Sequence, residues 1–251
     1  MNKLNTIFLV LALMLGTSFY SSTTIADDNK EIAQWVFIEK DNTSKTGCFI
    51  ELSQNGTYLG HGSGTLISVS DNKRHPKNKC LVEAIVVTCN HVTPQRSPMV
   101  SVIWQDGSKY PAIILARDTK TDIAILKTWV KEGTKPATLN ILPIARGVKV
   151  KCFGYGGIKD VSKPRYFEAE VLSHDISDSI IINEDVIPGD SGGGVFNEKG
   201  QLVGIIAHGN SRFQNINDIK YTPIGQGATA PQIIKLLKDY TERQSHFYSD
   251  Q

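Results

Sequence analysis

Apolar residues recur along this chain in short runs, many of which alternate with polar residues and are rich in β-branched side chains. Runs of this kind are typical of β-strands. Three dipeptides between the runs, Asn55-Gly56, Asp106-Gly107 and Lys199-Gly200, favour hairpin turns, because glycine readily adopts the left-handed backbone that tight turns need. This regular punctuation predicts barrels or sandwiches, not alternating strand–helix units. The predicted strands span 35–39, 47–52, 64–70, 81–88, 100–104, 112–116, 122–127, 149–154, 167–173, 180–182, 193–197, 202–207 and 221–223.

Near the C-terminus the pattern changes from strand to helix. A stripe of apolar residues falls on one helical face and polar residues fall on the other. The stripe is Ile233, Ile234, Leu236 and Leu237. Pro231 fits the first turn of this helix, where its missing N–H is no loss. Earlier in the chain, the polar loop 131–136 is the natural link between two strand-rich halves.

The N-terminus has the pattern of a cleavable secretory signal over residues 1–26. Lys3 precedes an apolar run at 7–15, and a small residue, Ala26, comes directly before Asp27. The apolar run is shorter than the ~20 residues that a spanning helix needs, so we expect cleavage and no stable membrane anchor, with an uncleaved anchor as the alternative. We therefore expect an exported, periplasmic or extracellular protein whose mature domain is 27–251.

The charge balance limits the choice of partners. The formal net charge is +2 at pH 7, and this near-neutral value argues against nucleic acid as a partner. The basic cluster at 73–79 is interpreted as a solvated hairpin tip. A docking loop for an acidic substrate or partner is the alternative.

The four cysteines are Cys48, Cys80, Cys89 and Cys152. None forms a Cys-x-x-Cys pair, so no zinc site is predicted. If one continuous strand runs from Cys80 to Cys89, the two residues lie ~30 Å apart at ~3.3 Å per residue. Because a disulfide tolerates at most ~7 Å between Cα atoms, a continuous strand excludes the Cys80–Cys89 pairing and its Cys48–Cys152 complement. The remaining pairings stay open for an exported chain, as do free buried thiols.

Candidate chemistry begins at 189–193, which reads Gly-Asp-Ser-Gly-Gly around Ser191. A serine hydroxyl is a poor nucleophile at neutral pH and needs a base for its proton and donors for the oxyanion it creates. Flanking glycines let the backbone turn sharply and direct N–H groups at one spot. On its own, however, a glycine-rich run around serine is usually only a turn.

Two upstream residues change that interpretation. His91 follows an apolar β-branched run, and Asp122 heads another apolar run. Histidine supplies general-base chemistry near neutral pH, and a partly buried carboxylate fixes its tautomer and stabilises its cation. Each residue alone fits a strand-end histidine or a strand-start cap. The order His, Asp, Ser, with all three flanking patterns present, argues against coincidence.

With these motifs the chain resembles the chymotrypsin-like (trypsin-fold) serine proteases over about residues 34–240, and within them the bacterial branch that includes the HtrA/DegP protease domain. Segments 62–68, 116–120 and 195–205 are similar to further motifs of that branch. The resemblance implies an all-β fold of two six-stranded antiparallel β-barrels with a C-terminal helix. It places the first barrel at about 34–130, the second at about 140–240, and the triad in the cleft between them. We expect no PDZ module.

The implied function is a secreted serine endopeptidase. Ser191 would attack the peptide carbonyl, His91 would accept the proton, and Asp122 would orient His91. The N–H groups of Gly189 and Ser191 would form the oxyanion hole. We expect protein or peptide substrates, no metal and no organic cofactor; the oligomeric state is not readable from the sequence.

Two residues depart from the family pattern. Gly194 stands where the family usually has proline, which suggests a looser turn after the nucleophile. Asp190 precedes the serine as in trypsin, where a freshly cut N-terminus neutralises it, whereas HtrA proteins usually carry asparagine. Since no Arg-Ile-Val-Gly-Gly-like junction is present, Asp190 has to find another donor or stay hydrated.

The resemblance also outlines a specificity pocket. It would be lined by residues just before the nucleophile and by the segment 206–209, which reads Ile206, Ala207, His208 and Gly209. Asp185 lies six residues before Ser191, in the register of the acid with which trypsin selects Lys or Arg. A small or aliphatic preference is the alternative, with Asp185 a surface acid. His208 raises the possibility of glutamate selection, but the pocket histidine of glutamyl endopeptidases aligns with Ile206 here.

Two rival functions compete with peptide hydrolysis. A catalytically decayed protease-fold protein that binds peptides or serves as a scaffold fits the departures at Gly194 and Asp190. An esterase is disfavoured by the all-β pattern and the residue order, because α/β-hydrolases run Ser, Asp, His.

Overall fold

The structure is a computed structural model that describes residues 45–93, 99–158, 160–209, 212–214, 220–222 and 224–249. The predicted signal at 1–26 and the predicted strand at 35–39 lie outside these residues.

The described residues form fifteen strands and a long C-terminal helix. They are β1 (Gly47–Gln54), β2 (Thr57–His75), β3 (Asn78–Cys89), β4 (Met99–Trp104), β5 (Lys109–Pro111), β6 (Ile113–Asp118), β7 (Ile123–Lys131), β8 (Lys149–Gly154), β9 (Arg165–Asp175), β10 (Ser179–Ile182), β11 (Gly194–Phe196), β12 (Leu202–Gly209), β13 (Arg212–Gln214), β14 (Lys220–Thr222), β15 (Gly225–Thr229) and α1 (Ala230–Ser249).

The first half of the chain forms a curled seven-stranded antiparallel sheet in the order β5-β4-β1-β2-β3-β7-β6. Its two edge strands, β5 and β6, are consecutive in the chain and are separated only by Ala112. Strand β5 pairs with β4 and strand β6 pairs with β7. The extended segment that contains β5 and β6 therefore lies at both edges of the sheet. The Ala112 N–H donates to the Val100 carbonyl at 2.9 Å, which holds the interruption close to β4.

The second half closes completely. Six antiparallel strands form a barrel in the order β10-β15-β12-β11-β8-β9. The all-β, two-barrel fold with a C-terminal helix is therefore confirmed. In the first barrel, β5 and β6 together take the place of one continuous strand.

The described strands differ from the predicted ones mainly in length. The hairpin of β2 and β3 is much longer than expected and carries the basic cluster 73–79 at its tip. Ion pairs of Lys73 with Glu83 and of Arg74 with Glu132 offset part of the charge of this cluster. Strand β15 was not predicted because its glycines have low strand propensity. A Cβ on Gly227 would overlap the Ile205 carbonyl, so close packing in the barrel accounts for that glycine.

The loop between the halves is bonded to both of them. The Ala137 N–H donates to the Leu66 carbonyl of the first sheet at 2.9 Å, and the Leu202 N–H of the barrel donates to the Thr138 carbonyl at 2.7 Å. A bridge between Leu139 and Leu202 follows directly. Because three neighbouring residues are fixed in this way, the linker holds the two barrels together.

The C-terminal helix packs on β6 of the first sheet and on β12 and β15 of the barrel. Ile233 and Leu236 of the predicted stripe are buried. The Thr229 N–H donates to the Gln232 side chain at 2.8 Å, half of a capping box at the start of the helix. No helix in the described part of the chain is long and apolar enough to cross a membrane.

All four cysteines are free thiols, with Cys80 exposed and the other three buried. Cys80 and Cys89 lie on the same strand, β3, as predicted. Burial raises the pKa of the Cys48 and Cys152 thiols well above its ordinary value, so both stay protonated at neutral pH.

One histidine remote from the candidate chemistry should make the stability of the fold depend on pH. His174 Nδ1 accepts the Ile144 N–H at 2.9 Å, and partial burial lowers the pKa of the imidazole below 6.5. The unfolded chain therefore binds this proton more readily than the folded chain does. The stability that neutral His174 provides is present above pH 6.5 and is lost as the pH falls below it.

We expect His174→Gln to reduce the loss of stability between about pH 7 and about pH 5, since glutamine can still accept the Ile144 N–H but does not titrate. Urea unfolding of both proteins at the two pH values measures the difference. Parallel losses in both proteins would show that other groups carry the pH dependence.

Candidate active site

The three candidate side chains come from three strand ends at the junction between the barrels. His91 stands in the turn that follows β3, Asp122 directly precedes β7, and Ser191 lies in the turn before β11. Strands β3 and β7 pair as neighbours, with Cys89 opposite Ile123. Their register therefore brings His91 and Asp122 side by side.

His91 and Asp122 share two hydrogen bonds. His91 Nδ1 lies 2.6 Å from Asp122 Oδ2, and the His91 N–H donates to Asp122 Oδ1 at 2.9 Å. The Asn90 N–H adds a bond to the Asp122 carbonyl at 3.0 Å. Asp122 adopts a left-handed backbone with φ 56°, which aspartate tolerates better than most residues. These bonds fix the imidazole so that Nε2 is left for the cleft.

A second histidine approaches the same carboxylate. His208 Nε2 lies 3.4 Å from Asp122 Oδ2, and the His208 ring stacks on His91 with centroids 5.1 Å apart. Partial burial raises the pKa of Asp122, but the His91 hydrogen bonds and the charges of both imidazoles outweigh that effect. The pKa of Asp122 therefore falls below its ordinary value, and the group is ionised at neutral pH.

Ser191 lies next to this pair, with its hydroxyl turned to a carbonyl. Ser191 Oγ donates to the Ala207 carbonyl at 2.9 Å, and no hydrogen bond joins it to His91 in the described structure. The ladder between β12 and β15 shifts register between Ile206 and His208, which leaves Ala207 without a partner in that pairing. The bulge thus presents the Ala207 carbonyl to the serine.

The turn around the serine has the backbone that an anion site needs. Gly189 and Gly192 have φ of 105° and 91°, values that favour glycine. Among the described residues, neither the Gly189 N–H nor the Ser191 N–H has a hydrogen-bond acceptor. Their carbonyls are engaged on the inner side: Ser63 Oγ donates to Gly189 O and Ser63 N–H to Ser191 O, both at 2.7 Å.

The donor for Asp190 is Arg165, the first residue of β9. The Asp190 carboxylate is fully buried and accepts from the Arg165 guanidinium at 2.6 Å. The N–H groups of Gly156 and Ile187 add bonds at 2.8 and 3.2 Å. The guanidinium also donates to the Asp185 carbonyl and stacks 4.1 Å above the Phe167 ring. Asp190 is therefore paired within the chain itself.

Gly194 does not loosen the turn after Ser191. The Gly192 N–H donates to the Ile206 carbonyl at 2.7 Å, and the Ile206 N–H donates to the Gly193 carbonyl at 2.8 Å. A Cβ on Gly194 would overlap the Phe196 ring, which is buried in the core. The glycine thus makes room for that ring, and the reciprocal bonds keep the turn in place.

The proposed pocket wall is occupied by Val186. A Cβ on Gly209 would overlap the Val186 carbonyl, and a Cβ on Gly225 would lie 2.6 Å from the Val186 side chain. The neighbouring Asp185 is half-buried and contributes its carbonyl to Arg165. Of these two residues, Val186 is therefore the one that contacts the end of β12.

Cys89, His91 and Asp122 carry potential metal ligands within 4.8 Å of one another. All three are engaged within the protein, because His91 and Asp122 bond to each other and the Cys89 thiol donates to the Ile206 carbonyl at 3.0 Å. Burial, with a further contribution from the charge of Asp122, raises the pKa of Cys89. The thiolate form that a metal prefers is therefore disfavoured.

Sequence reasoning missed the roles of Ser63 and Arg165 and the contact of His208 with Asp122. Ser63 had a visible signal, since it stands between two glycines directly before a predicted strand. Arg165 had none, because its partner lies 25 positions away and only the barrel brings them together.

Known proteins agree with this architecture. A family model described as trypsin-like peptidase domain matches residues 62–205. The serine protease Do-like HtrA of Bacillus subtilis is 27% identical over 178 residues, covering 66% of this chain and 37% of that protein. The anti-sigma-I factor RsgI9 of Acetivibrio thermocellus is 30% identical over 125 residues, covering 48% of this chain and 17% of that protein. This chain thus spans well under half the length of these curated relatives.

A solved structure gives the fold. The serine endoprotease from Yersinia pestis superimposes with a TM-score of 0.61 at 17% identity, covering 87% of this chain and 68% of that chain. The matched segment 62–205 contains His91, Asp122 and Ser191 together with the turn around the serine. The chain belongs to the trypsin-like peptidase domain family.

Proposed function

We propose that this protein is a serine endopeptidase that hydrolyses protein or peptide substrates through His91, Asp122 and Ser191. The observation that carries the proposal is the His91–Asp122 pair, which is joined by two hydrogen bonds and lies beside Ser191. The turn around that serine has two N–H groups without an acceptor among the described residues. Family membership supports the peptidase activity, and the geometry supports these residues as its agents.

In the proposed mechanism, Ser191 Oγ attacks the scissile carbonyl while His91 Nε2 takes its proton. Asp122 stabilises the resulting imidazolium, and the N–H groups of Gly189 and Ser191 stabilise the oxyanion. Collapse of the tetrahedral intermediate expels the amine, which takes the proton from His91, and an acyl-enzyme on Ser191 remains. Water then attacks the acyl group while His91 takes its proton, and the second tetrahedral intermediate collapses by breaking the bond to Ser191 Oγ. The acid product leaves, and Ser191 Oγ takes the proton back from His91. No metal or organic cofactor is required by these steps.

The serine has to exchange one hydrogen bond for another before it attacks. Its hydroxyl donates to the Ala207 carbonyl, and rotation about the Cα–Cβ bond directs it to His91 Nε2. Because staggered rotamers are separated by small barriers and one hydrogen bond replaces another, this step adds little to the activation free energy.

Activation by N-terminal cleavage is not required in this proposal. In a trypsin-type zymogen the new N-terminus pairs with the acid before the serine, but here Arg165 already forms that ion pair. The proposal also includes export of residues 27–251 after removal of a signal at 1–26, on the basis of the N-terminal pattern.

The side chains around Val186 support a preference for small aliphatic residues at the cleaved position. Val186 lies against Gly209 and Gly225, so it places an apolar side chain beside the end of β12. A basic preference through Asp185 is the competing hypothesis, since a carboxylate facing a substrate cation would favour Lys or Arg.

The first test concerns the nucleophile and the absence of zymogen activation. Recombinant 27–251 should react with a fluorophosphonate probe and cleave casein without any added protease, because Asp190 is already paired. Ser191→Ala should abolish both activities and leave the thermal unfolding temperature nearly unchanged. Casein cleavage by the alanine variant at the wild-type rate would exclude Ser191 as the nucleophile. Probe labelling that required a further N-terminal cut would instead make the chain a zymogen.

A second test concerns the buried ion pair. Arg165→Met should reduce the free energy of unfolding by about 3–5 kcal/mol, because it leaves a buried carboxylate without its cation. The double variant Arg165→Met with Asp190→Asn should recover part of that loss, since the buried charge is gone. Arg146→Met, at an exposed arginine, is the matched control, and urea unfolding measures all four proteins. Equal stability of the Arg165 and Arg146 variants would contradict the role of the pair.

A third test separates the two specificity hypotheses. Matched peptide substrates that differ only in Ala, Val or Arg at the cleaved position are compared for wild type, Asp185→Ser and Val186→Ala. If Val186 shapes the surface, Val186→Ala should change the Ala-to-Val ratio of kcat/KM by about 10-fold, as expected for a methyl-sized change. If Asp185 selects cations, Asp185→Ser should reduce Arg cleavage by orders of magnitude and leave the Ala substrate unaffected. A selective loss of Arg cleavage in Asp185→Ser would contradict the proposed preference for small aliphatic residues.

A further inference from the structure

Ser63 lies fully buried on β2, at the junction of the barrels, and bonds directly to the turn that holds the nucleophile. Its N–H donates to the Ser191 carbonyl, and its hydroxyl donates to the Gly189 carbonyl, each at 2.7 Å. One residue of the first barrel thus holds two carbonyls of a turn that belongs to the second.

The orientation of Ser63 is itself fixed. Its hydroxyl oxygen accepts the Tyr155 N–H at 2.9 Å, and its carbonyl accepts the Thr88 hydroxyl at 2.6 Å. All of its polar groups are therefore paired, which leaves the side chain one hydrogen-bonded rotamer. A Cβ on Gly192 would overlap the Ser63 carbonyl, so the turn also packs tightly against this residue.

The two bonds bracket the peptide group that carries the Ser191 N–H. A peptide group is planar, so a held carbonyl also fixes the N–H of the next residue. Ser63 holds the peptide group that links Gly189 to Asp190 and the peptide group that links Ser191 to Gly192. The peptide group that links Asp190 to Ser191, and carries the Ser191 N–H, lies between them. Gly189 has φ 105° and, as a glycine, would otherwise allow its plane to rotate freely.

We propose that Ser63 is a positioning residue that sets the direction of the Ser191 N–H, and with it one donor of the oxyanion hole. It does not contact the substrate and acts only through the turn 189–192. This inference rests on the proposed function for its catalytic consequence, whereas its structural consequence can be measured without any activity.

The catalytic test compares Ser63→Ala with Ser68→Ala. Ser68 is a buried serine on the same strand whose hydroxyl does not bond to the turn 189–192. Loss of one oxyanion donor typically costs 10²–10³ in kcat, so partial misalignment in Ser63→Ala should lower kcat and the fluorophosphonate labelling rate about 10- to 100-fold. KM should change little, because the lost interaction is made in the transition state.

A merely structural role predicts a different result. Partial unfolding would reduce the fraction of protein that can be labelled but not the rate constant of the labelled fraction, and active-site titration separates the two. Labelling and kcat equal to those of Ser68→Ala would overturn the proposal.

The second measurement is hydrogen exchange of the segment 187–193, followed by mass spectrometry in the same variants and in the wild type. Ser63→Ala keeps the backbone N–H bond to the Ser191 carbonyl but releases the Gly189 carbonyl. Exchange of this segment should therefore be faster in Ser63→Ala and unchanged in Ser68→Ala. Unchanged exchange in Ser63→Ala would reject the positioning role. If the wild type fails to react with the probe, the proposed function fails, and the exchange result still decides the role of Ser63.

Discussion

A fully buried carboxylate beside Ser191 needs a permanent cation, and the arrangement of the turn 189–192 depends on that requirement. Asp190 has no contact with solvent, and Arg165 on β9 supplies the cation at 2.6 Å. Burying the carboxylate without its cation would cost several kcal/mol, so the ion pair stabilises the closed barrel. Because the same guanidinium binds the Asp185 carbonyl, it also fixes the start of the segment that leads to Ser191.

The turn around Ser191 is held from both barrels. Arg165 holds its acid from the second barrel, and Ser63 holds its carbonyls from the first. The relative position of the barrels therefore sets the geometry of the turn, and the linker bonds through Ala137 and Thr138 limit that position further. Substitutions that loosen the barrel junction should affect catalysis as well as stability, even where they contact neither His91 nor Asp122.

The sequence was sufficient for the local elements and for the residues with chemical signatures. Alternating apolar runs identified β8 at its actual bounds, and the order of His91, Asp122 and Ser191 identified the candidate site, because each of these signals is local. The ion pair of Arg165 and the bonds of Ser63 could not be predicted, since they depend on barrel closure between distant segments. Glycine-rich β15 was missed because close backbone packing, not propensity, makes it a strand.

The electrostatics of the His91–Asp122 pair fix the charge of the group that orients the proposed base. Asp122 interacts with two imidazoles and the His91 N–H, and its lowered pKa keeps it ionised at neutral pH. The carboxylate is therefore a permanent acceptor for His91 Nδ1 and a permanent negative charge beside the imidazolium that the proposed mechanism forms. Because the His208 ring stacks on His91 and also reaches Asp122, the surroundings of the proposed base and of its carboxylate are set by the same side chain.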